Sequence, residues 1–308
     1  MVTERPAPSE DELQRWCLER LSSGIDKVNF RSGHLSSVVG VRLREGREVV
    51  VKVRPGSPRL DACFAVQSRL FERGFACPEP LIGPARLERW VASAEAHVPG
   101  GAPMPSSGRA PEPFARGLAE LVRLAPTPTE VGALRPNPPW NAWDHDEGRL
   151  WPRPDDWNGD LNDIDGPAWL DGAAAEARRQ LALGRGPEVL GHGDWYGGNL
   201  RWDGTRLLVA HDWDSVIVGR LGVIAGFASA DFATNGAGTE PSVEESATFL
   251  DAFAEAHGTP LDDDARRDAW ASGLWLLAFN AKKQVAKGEA LRSLDEAGAA
   301  ERLERLRR

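Results

Sequence analysis

Along the first third of the chain the apolar positions switch from helical spacing to strand spacing and back. Leu13, Trp16, Cys17, Leu18 and Leu21 recur at three and four residues, which predicts a helix over Glu10 to Leu21. Three short runs rich in β-branched residues follow, Val28 to Phe30, Val38 to Leu43 and Val49 to Val53. Gly33 and Ser36-Ser37 separate the first two and Glu45-Gly46 separates the second and third, the pattern of a small antiparallel sheet. Arg59 to Arg73 returns to helical spacing through Leu60, Cys63, Phe64, Val66 and Leu70, with Gly74 at the C-terminal position. Arg86 to His97 has room for two further strands before Pro99-Gly100-Gly101-Ala102-Pro103 breaks regular structure.

Beyond that break the helical period dominates, at Pro113 to Leu124, Gly172 to Leu183, Ser242 to His257, Asp263 to Gln284 and Leu291 to Arg307. A long irregular segment spans Pro126 to Asp171. Around residue 200 the period shortens again: Val189-Leu190, Leu200 to Trp202 and Leu207 to Ala210 read as short strands, and Gly204 supplies a hairpin turn. The expected fold class is therefore α+β, with a sheet-plus-helix lobe over 1–98 and a mainly helical lobe over 99–308.

Composition narrows the classes. With 308 residues, 41% hydrophobic and 27% charged, the chain is ordinary globular material, long for one core and comfortable for two. Its net charge of -9 argues against a nucleic-acid partner, since phosphate backbones are bound by surplus Lys and Arg. No run approaches the 18 or so apolar residues of a membrane span, and the polar start Met1 to Pro6 lacks the apolar core of a secretory signal, so a cytoplasmic location is expected. Cys17, Cys63 and Cys77 are odd in number and widely spaced, which fits reduced thiols better than a disulfide framework or zinc site.

The chemistry concentrates in His192-Gly193-Asp194-Trp195-Tyr196-Gly197-Gly198-Asn199 and in Asp212-Trp213-Asp214. Four fixed residues in an eight-residue frame arise by chance about 0.002 times in a chain of this length, before the second acidic motif is demanded. Phosphoryl transfer needs these groups: an acid to take a hydroxyl proton, and an amide and a second acid to hold Mg²⁺. They fall on loops at strand ends, where a rigid scaffold usually carries catalytic groups. Lys52, alone among the valines of its strand, must point outward or find an anion.

The His-Gly-Asp-x-x-x-x-Asn string resembles the catalytic loop of the aminoglycoside phosphotransferase family, whose fold is that of the protein kinases. The resemblance implies a bilobal ATP- and Mg²⁺-dependent small-molecule kinase, with Asp194 as catalytic base and Asn199 and Asp212 on the metal. It gives Lys52 to the ATP phosphates and His192 a loop-organising role. Gly33, Ser36 and Ser37 would cover the phosphates, and Glu95 and Ala96, in a hinge over Ala94 to His97, would offer backbone groups to adenine.

Two departures from the family pattern stand out. Cys63 occupies the helix position where a glutamate pairs with the lysine, leaving Asp61 as the nearest acid and Gln67 a turn beyond. After Asp214 the usual Gly-Asp-Pro turn is absent, and the next acid is Asp231.

Five of the 12 tryptophans, Trp140, Trp143, Trp151, Trp157 and Trp169, lie in the irregular segment, together with eight acids and two arginines between Asp144 and Asp165. Such a segment either buries its indoles to pin the loop or lines a site for an amine-bearing ligand. The expected acceptor is a small hydroxylated molecule, aminoglycoside-like or an amino sugar, with another sugar or amino alcohol, or a non-catalytic nucleotide-binding role, as the alternatives.

Overall fold

The computed structural model describes residues 5–104, 110–234 and 240–308, so Met1 to Glu4 of the polar start lie outside the described residues. Helix α1 (Glu10–Leu21) is capped by Ser9, whose hydroxyl accepts from Glu12 N–H while the Glu12 carboxylate accepts from Ser9 N–H. Strands β1 (Ile25–Ser32), β2 (Ser37–Leu43), β3 (Glu48–Arg54), β4 (Pro80–Leu87) and β5 (Trp90–Ala96) form one antiparallel sheet in the order β1-β2-β3-β5-β4.

Strand β3 decides what the sheet does. Its odd positions, Val49, Val51 and Val53, pack with Val39, Val41, Leu43, Ala92 and Ala94 against Leu13, Trp16, Cys17 and Leu21 of α1. Strand alternation then sends Val50, Lys52 and Arg54 to the opposite face. The valine run is buried on both sides, which is why it reads as continuous rather than alternating.

Helix α2 (Leu60–Glu72) follows β3 but packs elsewhere: its buried Ala62, Cys63, Val66 and Leu70 join Phe75 and Cys77 in the second, larger core. That core gathers α3 (Pro111–Leu124), α4 (Ala168–Leu183), α5 (Leu221–Asp231), α6 (Val243–His257), α7 (Asp263–Ala286) and α8 (Glu296–Arg307). Two short antiparallel pairs are set into it, β6 (Glu188–His192) with β9 (Val216–Arg220) and β7 (Leu200–Asp203) with β8 (Arg206–Ala210).

Helix α5 and strand β9 were not foreseen from the sequence. Nearly every residue of α5 is buried, so it has no polar face to reveal its period, and its glycines read as breakers. Those glycines serve contact: a Cβ on Gly222 or Gly226 would strike the backbone of Ala265 or Ala269 on α7. The crossing of α5 on α7 therefore depends on both, and α5 ends at Asp231, beside the site.

The segment 126–167 is irregular as expected, with three short 3-10 turns. Most of its indoles are buried or half-buried against the second core; Trp151 is 1% exposed and donates to the Asp171 carboxylate at 3.0 Å. Several of its acids are also engaged: Asp144 pairs with Arg135, and Asp160 and Asp163 with Arg149. The reading in which the tryptophans anchor the loop fits all five, and Trp140 alone among them also lines the cavities around Asp194.

Candidate functional site

A cleft of about 760 Å³ opens between the Lys52 face of the sheet and the β6–β7 loop. Gly33, Ser36, Lys52, Glu95, Ala96, Asp194, Asn199 and Asp212 all line it, brought together from segments far apart in the chain.

The loop between β6 and β7 is built on a buried histidine. His192 is 1% exposed, its Nδ1 accepts from Asp194 N–H at 3.2 Å, and its Nε2 lies 2.9 Å from the His211 carbonyl. Because Nδ1 accepts, the proton sits on Nε2, which donates; burial also pushes the imidazolium form away. Edge-on contacts with Trp195 and Trp213 fix the ring. Gly193 is required by close approach, since a Cβ there would collide with Asn141 and Ile217. Its carbonyl accepts from Trp140 Nε1 at 2.9 Å, and its N–H donates to Ser215 O at 2.7 Å.

Asn199 holds Asp194. Its Nδ2 donates to the Asp194 backbone carbonyl at 3.0 Å and to Asp194 Oδ2 at 2.7 Å, which leaves the Asn199 carbonyl oxygen for another partner. His211 N–H donates to Asn199 O at 2.9 Å and so ties the loop to the start of the Asp212 turn. Asp212 itself is left-handed, with φ of 66°, a conformation that Asp tolerates better than most residues. Burial, reinforced by Asp231 and Asp212, raises the Asp194 carboxyl well above the usual range, so it holds a proton readily.

Lys52 pairs with the side chain of Glu95, Nζ to Oε1 at 3.3 Å, and both are buried. The expected partner, Asp61, is exposed in the first turn of α2 and lines a separate groove with Leu60, Arg86 and Trp90. The helix reaches the lysine through Gln67 instead, whose Nε2 donates to Glu95 Oε2 at 3.1 Å. Ser37 also departs from expectation: it is buried in β2 opposite Val53 and does not line the cleft. Within the expected hinge, Ala96 N–H donates to Glu79 O and His97 N–H to Glu48 O, so the sheet takes these donors.

Arg54, two residues beyond Lys52 on the same face, was missed in the sequence although it shares the strand alternation that exposes Lys52 to the cleft. It pairs with Asp214, Nε to Oδ2 at 2.9 Å, and ties the sheet to the Asp212-Trp213-Asp214 turn.

A smaller cavity of about 280 Å³ shares His34, Leu35, Trp140, Asp194 and Tyr196 with the cleft and continues to Asp155, Asp156, Asp231, Thr234, Asn280 and Lys283. Asp156 is neutralised by Lys283 at 2.7 Å and Lys287 at 3.1 Å. Burial raises Asp155, and it raises Asp231 to about 6.

Residues 28–270 match the model of the phosphotransferase enzyme family. The chain belongs to that family. No curated protein matches its sequence. Among solved structures, this phosphotransferase is similar to an amicoumacin kinase in complex with AMP-PNP, Ca²⁺ and Ami, at a TM-score of 0.62 and 13% identity over 96% of this chain and 92% of that one. A spectinomycin phosphotransferase in complex with ADP and spectinomycin gives 0.59 and 11%, over 98% and 94%. The macrolide 2'-phosphotransferase of Brachybacterium faecium gives 0.55 and 18%, over 94% and 96%. The fold is thus the kinase-like α+β architecture, and the protein is a small-molecule phosphotransferase. Among its described residues no helix is long and apolar enough to cross a membrane.

Proposed function

We propose that this phosphotransferase moves the γ-phosphoryl group of ATP to a hydroxyl of an amine-bearing small molecule, an aminoglycoside-like or amino-sugar compound. The observation that carries this reading is the position of Asp194 where the two cavities meet, one with a buried lysine and the other lined by acids. The nucleotide fits the first: Lys52 meets its phosphates, the loop around Gly33 and Ser36 covers them, and the strand end at Ala96 borders the adenine. The acceptor fits the second.

Oxygen donors suit Mg²⁺, and the free carbonyl oxygen of Asn199 and the carboxylate of Asp212 provide two beside the lysine, leaving room for phosphate and water. When bound there, the ion supplies charge neutralisation on the phosphoryl oxygens. Asp194 receives the acceptor's hydroxyl proton as the new O–P bond forms and the bond to ADP breaks; Asn199 keeps its carboxylate aimed. Burial makes the Asp194 carboxylate a stronger base, and the lysine, with the ion when bound, would favour the ionised form that can accept the proton.

The acceptor's amine follows from the charge count of the second cavity. Lys283 is already paired with Asp156, so among the described residues neither Asp155 nor Asp231 has an ion pair of its own. Similar folds in complex with nucleotides and antibiotics agree with this reading. The test is Mg·ATP consumption by the purified protein against aminoglycosides, amino sugars, amino alcohols and neutral sugars. Turnover with amine-bearing acceptors is expected; turnover confined to neutral sugars, or none with any class, would overturn the proposal.

A further inference from the structure

We infer that Glu95, held in turn by Gln67, positions Lys52 for phosphoryl transfer, so that a strand and not helix α2 supplies the lysine's acid. The inference rests on the proposed reaction and deepens it. Strands β3 and β5 run antiparallel with Val50 opposite Glu95 and Lys52 opposite Ser93, which makes Lys52 and Glu95 diagonal neighbours on the cleft face. Glu95 uses Oε1 for Lys52 at 3.3 Å and Oε2 for Gln67 Nε2 at 3.1 Å; the same amide nitrogen donates to the Pro78 carbonyl at 3.1 Å. All three residues are 9% exposed or less. Cys63 stands on α2 where an acid was expected, and its Sγ lies 3.7 Å from the Asp214 carbonyl, away from ion pairing.

The arrangement has a physical logic. Both ends of the Lys52–Glu95 pair are fixed by one hydrogen-bonded ladder, so the pair is assembled before nucleotide arrives. The helix contributes an amide, so it adds no carboxylate to those of Glu95, Asp212 and Asp214 that already act on the lysine where phosphates must enter. A further carboxylate at position 67 would add repulsion.

Glu95→Gln separates positioning from binding. Loss of an anion beside the phosphates offsets the looser lysine, so nucleotide affinity should stay within about threefold, while kcat should fall about 10- to 100-fold for a misplaced phosphate-binding group. The exchanged pair Glu95→Gln with Gln67→Glu keeps one carboxylate and one amide in contact and should recover most of the lost kcat, although the Pro78 carbonyl loses its donor and the melting temperature falls. An unchanged kcat in Glu95→Gln would overturn the inference. So would a parallel loss of affinity, kcat and melting temperature in which the exchange leaves kcat unrepaired, the signature of a merely structural residue. If Glu95→Gln fails to fold, Glu95→Asp carries the test, and full kcat in that folded variant would overturn it. A wild-type protein that turns over no Mg·ATP with any acceptor would overturn the proposed function itself, and this inference with it.

Discussion

Replacing Asp231 by Asn should stabilise the protein, and by an amount that depends on pH. Asp231 ends α5 in the wall of the acid-lined cavity, and burial raises its carboxyl from 3.8 to about 6. A carboxyl raised in the folded state is protonated more readily there than in the unfolded chain. Below pH 4 both states hold the proton and the group contributes little; between pH 4 and 6 the unfolded chain gives it up while the folded state keeps it, so the penalty grows and then levels off above 6. For these two values the penalty is about 1.5 kcal/mol at pH 5 and about 3 kcal/mol at pH 7, the full shift being worth about 1.4 kcal/mol per unit. Because Asp231 keeps some contact with solvent, about 2 kcal/mol at pH 7 is the working figure. Relief of the field at Asp194, which Asp231 raises, adds in the same direction. Urea unfolding of both proteins between pH 5 and 8 measures the difference directly. A gap that widens with pH supports the reasoning; a constant gap, or a destabilised Asn variant at pH 7, would refute it.

Arg54→Met should cost about 3 kcal/mol of stability, because it strips the cation from Asp214 in a largely buried pair, and a loss under 1 kcal/mol in urea unfolding would show the pair to be dispensable. Asp155→Asn should raise KM for a cationic acceptor about tenfold, a loss of one charge-assisted contact, while leaving KM for Mg·ATP unchanged; equal effects on both would mean the acid does not face the acceptor. Asp61→Asn should leave nucleotide affinity within twofold in a calorimetric titration, as expected of an exposed acid remote from Lys52, and a tenfold loss would return it to the lysine.

The parts legible in sequence were those that a local pattern encodes. The His192 to Asn199 spacing, the Asp212 motif and the valine strand bearing Lys52 each declare themselves within a few residues, and one cleft gathers them. The lysine's partner depends on the register between β3 and β5, which brings Lys52 beside Glu95 from 43 residues away in the chain, and no local signal carries it. Glu95 was singled out for its backbone, whereas its side chain makes the contact. Ser37 failed for a related reason: one residue's difference along β2 turns a side chain from the cleft into the sheet. Helix α5 was invisible because burial on all sides erases the period that betrays a helix, and with it went the placement of Asp231 beside Asp194.

The central claim is that Asp194 takes the proton in a phosphoryl transfer for which Lys52, Asn199 and Asp212 hold the nucleotide. Asp194→Asn keeps the size of the side chain and removes its basicity. Its kcat with the best acceptor, measured alongside the affinity for Mg·ATP, tests the claim most directly. The account predicts a fall of about 100-fold or more in kcat with nucleotide affinity retained. Wild-type turnover in that variant would contradict it.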